Sequence, residues 1–95
     1  MRVRYRARAL ADLDDIFRYL DQRSPTGARN VLRAIREAIN DVSEYPLASP
    51  PTSDPDIRVK ILGRYRYKIF YCAVSTDFIE IIHVRHGARR PWLAP

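Results

Sequence analysis

The amino-acid sequence predicts an α+β fold whose elements follow the order β-α-α-β-β-β, with an antiparallel sheet and an N-terminal two-helix hairpin packed on one face. Three observations support this fold class. The first residues alternate polar and apolar side chains, the next part carries apolar residues at helical spacing, and the last part returns to strand-like runs. The 95 residues form one domain, 1–95, because so short a chain has no room for a second core.

The first predicted strand spans residues 2–8, where Val3, Tyr5 and Ala7 share one face and arginines occupy the other. A helical period begins at Ala9 and should end near residues 22–23. The apolar stripe of this first helix consists of Leu13, Ile16, Phe17 and Leu20.

A second helix is predicted to begin directly after the first. Ser24 is a typical N-cap and Pro25 a typical first helical residue, and Pro46 ends the helix. Its apolar residues are Ala28, Val31, Leu32, Ile35, Ala38, Ile39 and Val42. The short connection predicts an antiparallel helix hairpin.

The remainder of the chain is predicted to be a loop followed by three strands. Residues 46–55 hold four of the seven prolines and should be a loop. The runs 57–62, 65–74 and 78–84 are strand-like, and the last is apolar on both faces, as a central strand should be.

The positive charge lies in the C-terminal part. Residues 57–95 carry eight basic and two acidic side chains, which accounts for the whole net charge of +6. A basic surface attracts nucleic acid, the ribosome or an acidic protein segment. The even-numbered residues Arg58, Lys60, Arg66 and Lys68 are predicted to form a basic concave face on the uncovered side of the sheet. Strand phase alone leaves open which set points away from the helices.

Several classes of site are not indicated. Cys72 is the only cysteine, so no intrachain disulfide is expected, and the glycines are too far apart for a phosphate loop. His83 and His86, three apart on a strand, should point to opposite faces, so no metal and no cofactor are expected. We find no signal peptide and no apolar run long enough for a membrane span, and we expect a cytoplasmic protein without membrane contacts.

The chain resembles the RelE/ParE toxin superfamily over almost its whole length. The segment Ala-Asp-Leu-Asp-Asp-Ile-Phe-Arg-Tyr-Leu at 11–20 is similar to the first helix of ParE-type toxins. The run 67–71 and the run 79–89, which contains His-Gly-Ala-Arg, resemble the closing hairpin of the same family. The resemblance implies a toxin neutralised by a cognate antitoxin that wraps around it. RelE-like members cut messenger RNA on the ribosome, whereas ParE-like members poison DNA gyrase.

The chemistry of RNA cleavage separates these two activities. Attack by a 2′-hydroxyl needs a base, a cation beside the phosphorane and an acid for the leaving oxygen. The residues available for these roles are Lys60, Arg64, Arg66, Lys68, Tyr71, Arg85 and His86. The C-terminal tyrosine of the RelE pattern is missing. Tyr71 could substitute for it, but in a strand rich in aromatic residues a tyrosine is more often part of the core or its rim. We therefore favour a non-enzymatic inhibitor of DNA gyrase. The alternatives are a ribosome-dependent mRNA endonuclease, and a non-toxic basic nucleic-acid-binding module or decayed toxin.

Contact residues follow from these hypotheses. The predicted target-binding residues are Arg58, Lys60, Arg66, Lys68, Arg85, His86, Arg89, Arg90 and Trp92. The predicted antitoxin-binding residues are Leu13, Phe17, Leu20, Arg58 and Arg66. The antitoxin should be acidic and amphipathic, and should form a hetero-oligomer with the toxin. His83 is predicted to be a hydrogen-bonded core histidine. Arg85 is predicted to pair with Glu80 or a buried carboxylate, or to face the target.

Overall fold

The computed structural model of the chain describes residues 1–87. Its elements are β1 (Arg2–Tyr5), α1 (Ala7–Asp21), α2 (Pro25–Glu44), β2 (Arg58–Ile61), β3 (Tyr67–Ala73) and β4 (Phe78–His86). The predicted element order and the α+β fold class are confirmed. The predictions for Arg89, Arg90 and Trp92 lie outside the described residues.

The strands form one sheet in the order β1-β4-β3-β2. The β2–β3 and β3–β4 pairs are antiparallel, as predicted, but β1 runs parallel to β4. The sheet is therefore mixed rather than wholly antiparallel. A parallel pair needs a long crossover connection, and here the helix hairpin and the β2–β3 hairpin supply it between the first strand and the last.

The first strand is shorter than predicted because the first helix begins earlier. The backbone N–H of Arg6 still donates to the carbonyl of Ile81 (3.0 Å), and α1 then starts at Ala7. Ala9 is fully buried in the core with Ile16, while Leu13 and Leu20 pack partly buried against it. The buried stripe of α1 thus repeats every three or four residues from Ala9, and Phe17 lies on its exposed side (37% exposed).

The second helix begins as predicted. The hydroxyl oxygen of Ser24 accepts a hydrogen bond from the backbone N–H of Gly27 (3.0 Å), and Pro25 occupies the first turn, where its missing N–H costs nothing. The buried residues of α2 are Ala28, Val31, Ile35, Ala38, Ile39, Val42 and Ser43. The predicted apolar stripe of α2 is therefore buried, except for Leu32, which is partly buried.

Both helices cover the same side of the sheet, which we call the covered face; the opposite side is the outer face. The strand residues that join the helices in the core are Tyr67, Ile69, Tyr71, Ile79, Ile81 and Val84. Ile82 has no partner on β3, because Phe70 pairs with His83 and Tyr71 with Ile81. This bulge lets both Ile81 and Val84 reach the covered face although they are three residues apart.

Candidate functional site

Two basic residues stand side by side on the outer face. Lys68 on β3 lies directly opposite Arg85 on β4, and Ile61 on β2 lies directly opposite Lys68. Residues directly opposite in an antiparallel pair share a face, so these three side chains form one row across three strands. Lys68 and Arg85 are partly buried, and Ile61 is 56% exposed.

The other two strand cations predicted for this surface lie on the covered face. Arg58 is opposite Tyr71 and Lys60 is opposite Ile69, and both partners belong to the core. Leu62, which shares their phase, is buried as well (8% exposed). The prediction that Arg58, Lys60, Arg66 and Lys68 form a single basic face is therefore wrong. Even-numbered residues therefore point toward the helices on β2 and away from the helices on β3.

Arg58 is engaged within the chain. Its guanidinium donates to the carbonyl of Ser49 (2.6 Å) and more weakly to that of Leu47 (3.4 Å). These carbonyls belong to the proline-rich loop that precedes β2. Arg58 therefore fastens this loop to the sheet edge, which leaves less of the guanidinium for a target or an antitoxin.

The turn between β2 and β3 is tied to the end of β4. Arg66 has φ = 60°, in the left-handed region that favours glycine, and its carbonyl accepts a hydrogen bond from the N–H of Gly87. A Cβ at Gly87 would lie 2.7 Å from this carbonyl oxygen. Only glycine allows so close an approach. The exposed side chains of Arg64 and Arg66 are thereby held at the same end of the sheet as Lys68 and Arg85.

Two proton donors proposed for RNA cleavage lie away from the outer row. Tyr71 is fully buried (0% exposed), and its hydroxyl donates to the carbonyl of Pro46 (2.6 Å). It is therefore not available as an acid. His86 pairs with Tyr67, whose ring it meets edge-on at 5.1 Å, so it belongs to the covered face.

The sequence did not reveal the partner of His83. Its Nδ1 lies 2.5 Å from Oδ2 of Asp12, and the same carboxylate oxygen accepts from the N–H of Val84 (3.0 Å). Since a carboxylate can only accept, Nδ1 of His83 must donate. The ring also stacks on Phe70 at 5.8 Å. The prediction of a hydrogen-bonded core histidine is confirmed, whereas Glu80 pairs with Arg6 (2.7 Å) rather than with Arg85.

Beyond Ile81, β4 has no pairing with β1, and a groove follows this part of its edge. The groove is lined by residues of α1 and by the ends of β3 and β4: Asp12, Asp15, Ile16, Tyr19, Tyr67, His83, Val84, Arg85 and His86. Both carboxylates of the groove belong to α1, and Asp12 already accepts from His83, so a phosphate beside the histidines would meet negative charge. The groove is therefore a poor candidate for a ribonuclease centre despite its histidines.

Comparison with known proteins gives the family. A family model described as the ParE toxin of the type II toxin–antitoxin system parDE matches residues 3–91. The chain belongs to this ParE toxin family. It is therefore the toxin component of a type II toxin–antitoxin system, and a cognate antitoxin is its partner.

Individual relatives agree with the assignment to the ParE family. The chain is 34% identical over 91 residues to a putative toxin, Y4kP, of Sinorhizobium fredii, covering 96% of this chain and 92% of the relative. It is 28% identical over 82 residues to toxin RelE2 of Caulobacter vibrioides, covering 86% and 90%. A solved chain of the chromosomal ParDE system from P. aeruginosa superposes with a TM-score of 0.76 at 22% identity over 90% of this chain and 95% of that one. At this identity the likeness concerns the fold.

The predicted antitoxin-binding residues of this ParE-family chain are only partly accessible. Leu13 and Leu20 pack against the core and are partly buried, whereas Phe17 is 37% exposed. Leu10, which sequence analysis passed over, is more exposed (54%) and lies seven residues before Phe17, on the same side of α1. Exposed apolar residues at this spacing suit a partner helix, and the spacing alone could have indicated Leu10.

Other kinds of site find no support in the part of the chain that the structure describes. Residues 1–87 contain no group of three His, Cys, Asp or Glu side chains arranged to hold a metal ion. No helix in this range is long and apolar enough to span a membrane.

Cys72 is not an activated nucleophile. Burial, and secondarily the charge of Glu80, raises the pKa of its thiol above the ordinary value. Since the thiolate is the reactive species, we expect iodoacetamide to alkylate Cys72 more slowly in the folded protein than in urea at about pH 8. Glu80→Gln should lower the thiol pKa and speed the reaction of the folded protein. Equal rates in folded and unfolded protein would contradict this prediction.

Proposed function

We propose that this toxin inhibits DNA gyrase as a non-enzymatic protein ligand in the cytoplasm, and that its antitoxin holds it inactive in a hetero-oligomer. The sequence resemblance to ParE-like toxins implies gyrase as the target. One structural observation supports the non-enzymatic part: the residues proposed for RNA cleavage are divided between the two faces of the sheet.

A ribonuclease centre must bring base, acid and cation to one phosphate, within hydrogen-bond reach of the reacting oxygens. Lys68 and Arg85 lie on the outer face, while Lys60 and His86 lie on the covered face. The remaining proton donors already have partners, since Tyr71 donates to Pro46 and His83 to Asp12. Arg85 shares a groove with His83 and His86, but His83 already donates to Asp12 there. On the outer row, Lys68 has no acid–base pair beside it among residues 1–87, which favours binding of an anion over cleavage.

The exposed side of α1 is the proposed antitoxin site. Leu10 and Phe17 offer apolar contacts there, and the positive net charge of the chain favours an acidic partner. An amphipathic antitoxin helix would place its apolar side chains against this pair, with Leu13 and Leu20 beneath it. Arg66, which is exposed, remains in the predicted contact set.

Controlled expression in cells tests the target. A gyrase inhibitor should induce the DNA damage response and filamentation, and the purified toxin should block supercoiling of relaxed plasmid by gyrase in vitro. Immediate arrest of translation with cleaved messages would instead favour the ribosomal endonuclease, and normal growth would favour a decayed toxin.

Variants sharpen this test. If the toxin were a ribonuclease, Arg85→Ala or His86→Ala should reduce message cleavage by about 10² or more, because each would remove charge stabilisation or proton transfer. For a gyrase inhibitor we expect no message cleavage from the parent protein. Arg29→Ala serves as the control, because Arg29 is exposed on α2 and lies outside the residues proposed for RNA cleavage.

A further inference from the structure

We propose that Lys68 and Arg85 bind the phosphate backbone of duplex DNA, so that the toxin contacts the DNA held by gyrase as well as the enzyme. This inference rests on the proposed function. It names a second component of the same target and assigns it to a specific pair of side chains on the outer face.

Within residues 1–87, the charge of the pair is not neutralised by an ion pair. Two like charges directly opposite each other on neighbouring strands destabilise a sheet. Among residues 1–87, neither Lys68 nor Arg85 forms an ion pair with a carboxylate. Glu80, the acidic residue of β4, is instead bonded to Arg6. An anion placed between the two cations would remove their repulsion.

The surface beside Lys68 leaves room for a sugar–phosphate chain. A shallow cleft beside Lys68 is lined by Ile61, Leu62, Gly63, Arg66, Lys68 and Gly87. The two glycines leave backbone at its surface, so a sugar–phosphate chain can approach closely. Ile61 adds one exposed apolar contact, and Arg66 continues the positive charge toward the turn.

These features favour nucleic acid over an acidic peptide. An amphipathic peptide needs a row of apolar contacts, and this end of the sheet offers only one large exposed apolar side chain among residues 1–87, Ile61. A polyanion needs cations spaced along a surface. Lys68 and Arg85 can share one phosphate, because opposite Cβ atoms lie about 5 Å apart. Arg66 and Arg64 on the turn can approach the next phosphate.

The test measures binding of a labelled duplex oligonucleotide to the purified full-length toxin by fluorescence anisotropy over a range of salt concentrations. The double variant Lys68→Gln/Arg85→Gln should weaken binding at least about tenfold at low salt, and should lower the slope of log K against log salt by about one to two. The matched control, Arg29→Gln/Arg33→Gln, removes the same charge from the exposed side of α2 and should weaken binding less than about twofold.

Folding is checked separately in the same variants. Removal of two unneutralised like charges should leave the melting temperature unchanged or raise it, so weaker DNA binding would not reflect a damaged fold. A lower melting temperature would show that the pair is satisfied within the chain and would overturn the proposal.

Other results would also overturn it. These are absence of DNA binding by the parent protein at low salt, equal loss in the control variant, or tighter binding of a polyglutamate peptide than of DNA. Gyrase inhibition is measured in parallel. If the double variant inhibits supercoiling as well as the parent does, the pair does not contact DNA on gyrase. If the parent binds DNA through the pair but does not inhibit gyrase, the proposed function fails and the DNA site stands.

Discussion

Replacing Asp12 with alanine is expected to lower the free energy of unfolding by about 2–4 kcal/mol, the largest effect we expect from any polar substitution. One carboxylate oxygen accepts from both Nδ1 of His83 and the N–H of Val84. Its removal leaves two donors without their acceptor, and the side chain of His83 is only 9% exposed. Donors that cannot reach water carry the full desolvation cost.

Thermal and urea unfolding measure this effect. In a domain of this size, each 1 kcal/mol should shift the melting temperature by about 4–8 °C. Asp14→Ala is the matched control, because Asp14 forms an exposed ion pair with Arg18 one helical turn away and should cost about 0.5 kcal/mol or less. Asp12→Asn keeps an acceptor oxygen and should fall between the two. Equal losses for Asp12→Ala and Asp14→Ala would contradict the assignment.

Gly87→Ala is expected to destabilise the protein by about 1–3 kcal/mol and to displace the turn before β3. The added methyl group would lie 2.7 Å from the carbonyl oxygen of Arg66, which is backbone and cannot rotate away. The hydrogen bond from Gly87 to the same oxygen would be lost or lengthened. Because the turn carries Arg64 and Arg66, the substitution should also weaken any binding that depends on their position.

Gly63→Ala is the control for this second prediction. A Cβ at Gly63 meets nothing within 4 Å, and neither glycine has a positive φ. Alanine at Gly63 should therefore leave the free energy of unfolding unchanged or raise it by up to about 1 kcal/mol, because alanine lowers the conformational entropy of the unfolded chain. If both substitutions had the same effect on urea unfolding, the close contact at Gly87 would not be what makes glycine necessary.

The helices could be predicted from sequence because their determinants are local. Apolar spacing located the buried stripe of α2, and Ser24 with Pro25 fixed the start of this helix to the residue. In α1 the spacing identified Ile16 but included the exposed Phe17 and missed Ala9. The boundary between β1 and α1 was predicted too late. The alternation of arginine with apolar residues continues through Ala7 and Arg8, but burial of Ala9 under the sheet requires the helix to begin at Ala7.

The faces of the sheet could not be predicted because they depend on pairing between distant residues. Lys60 and Lys68 have the same parity in the sequence, but the turn between their strands places them on opposite faces. In β4, the bulge at Ile82 exchanges the faces to which odd- and even-numbered residues point. Of the predicted basic surface, only Lys68 and Arg85 are placed together on the outer face by strand register. The contact between Asp12 and His83 joins residues far apart in the chain, so no local pattern could have revealed it.

The parallel pairing of β1 with β4 has a consequence for biosynthesis. Arg2 finds its partner, Phe78, only when most of the chain has been translated, and the apolar sides of both helices also wait for β3 and β4. The domain can therefore complete its fold only after β4 has been translated, rather than progressively as β1, α1 and α2 emerge. A nascent toxin should remain harmless to the cell that makes it, and open to proteolysis, until the segment Phe78–His86 has left the ribosome.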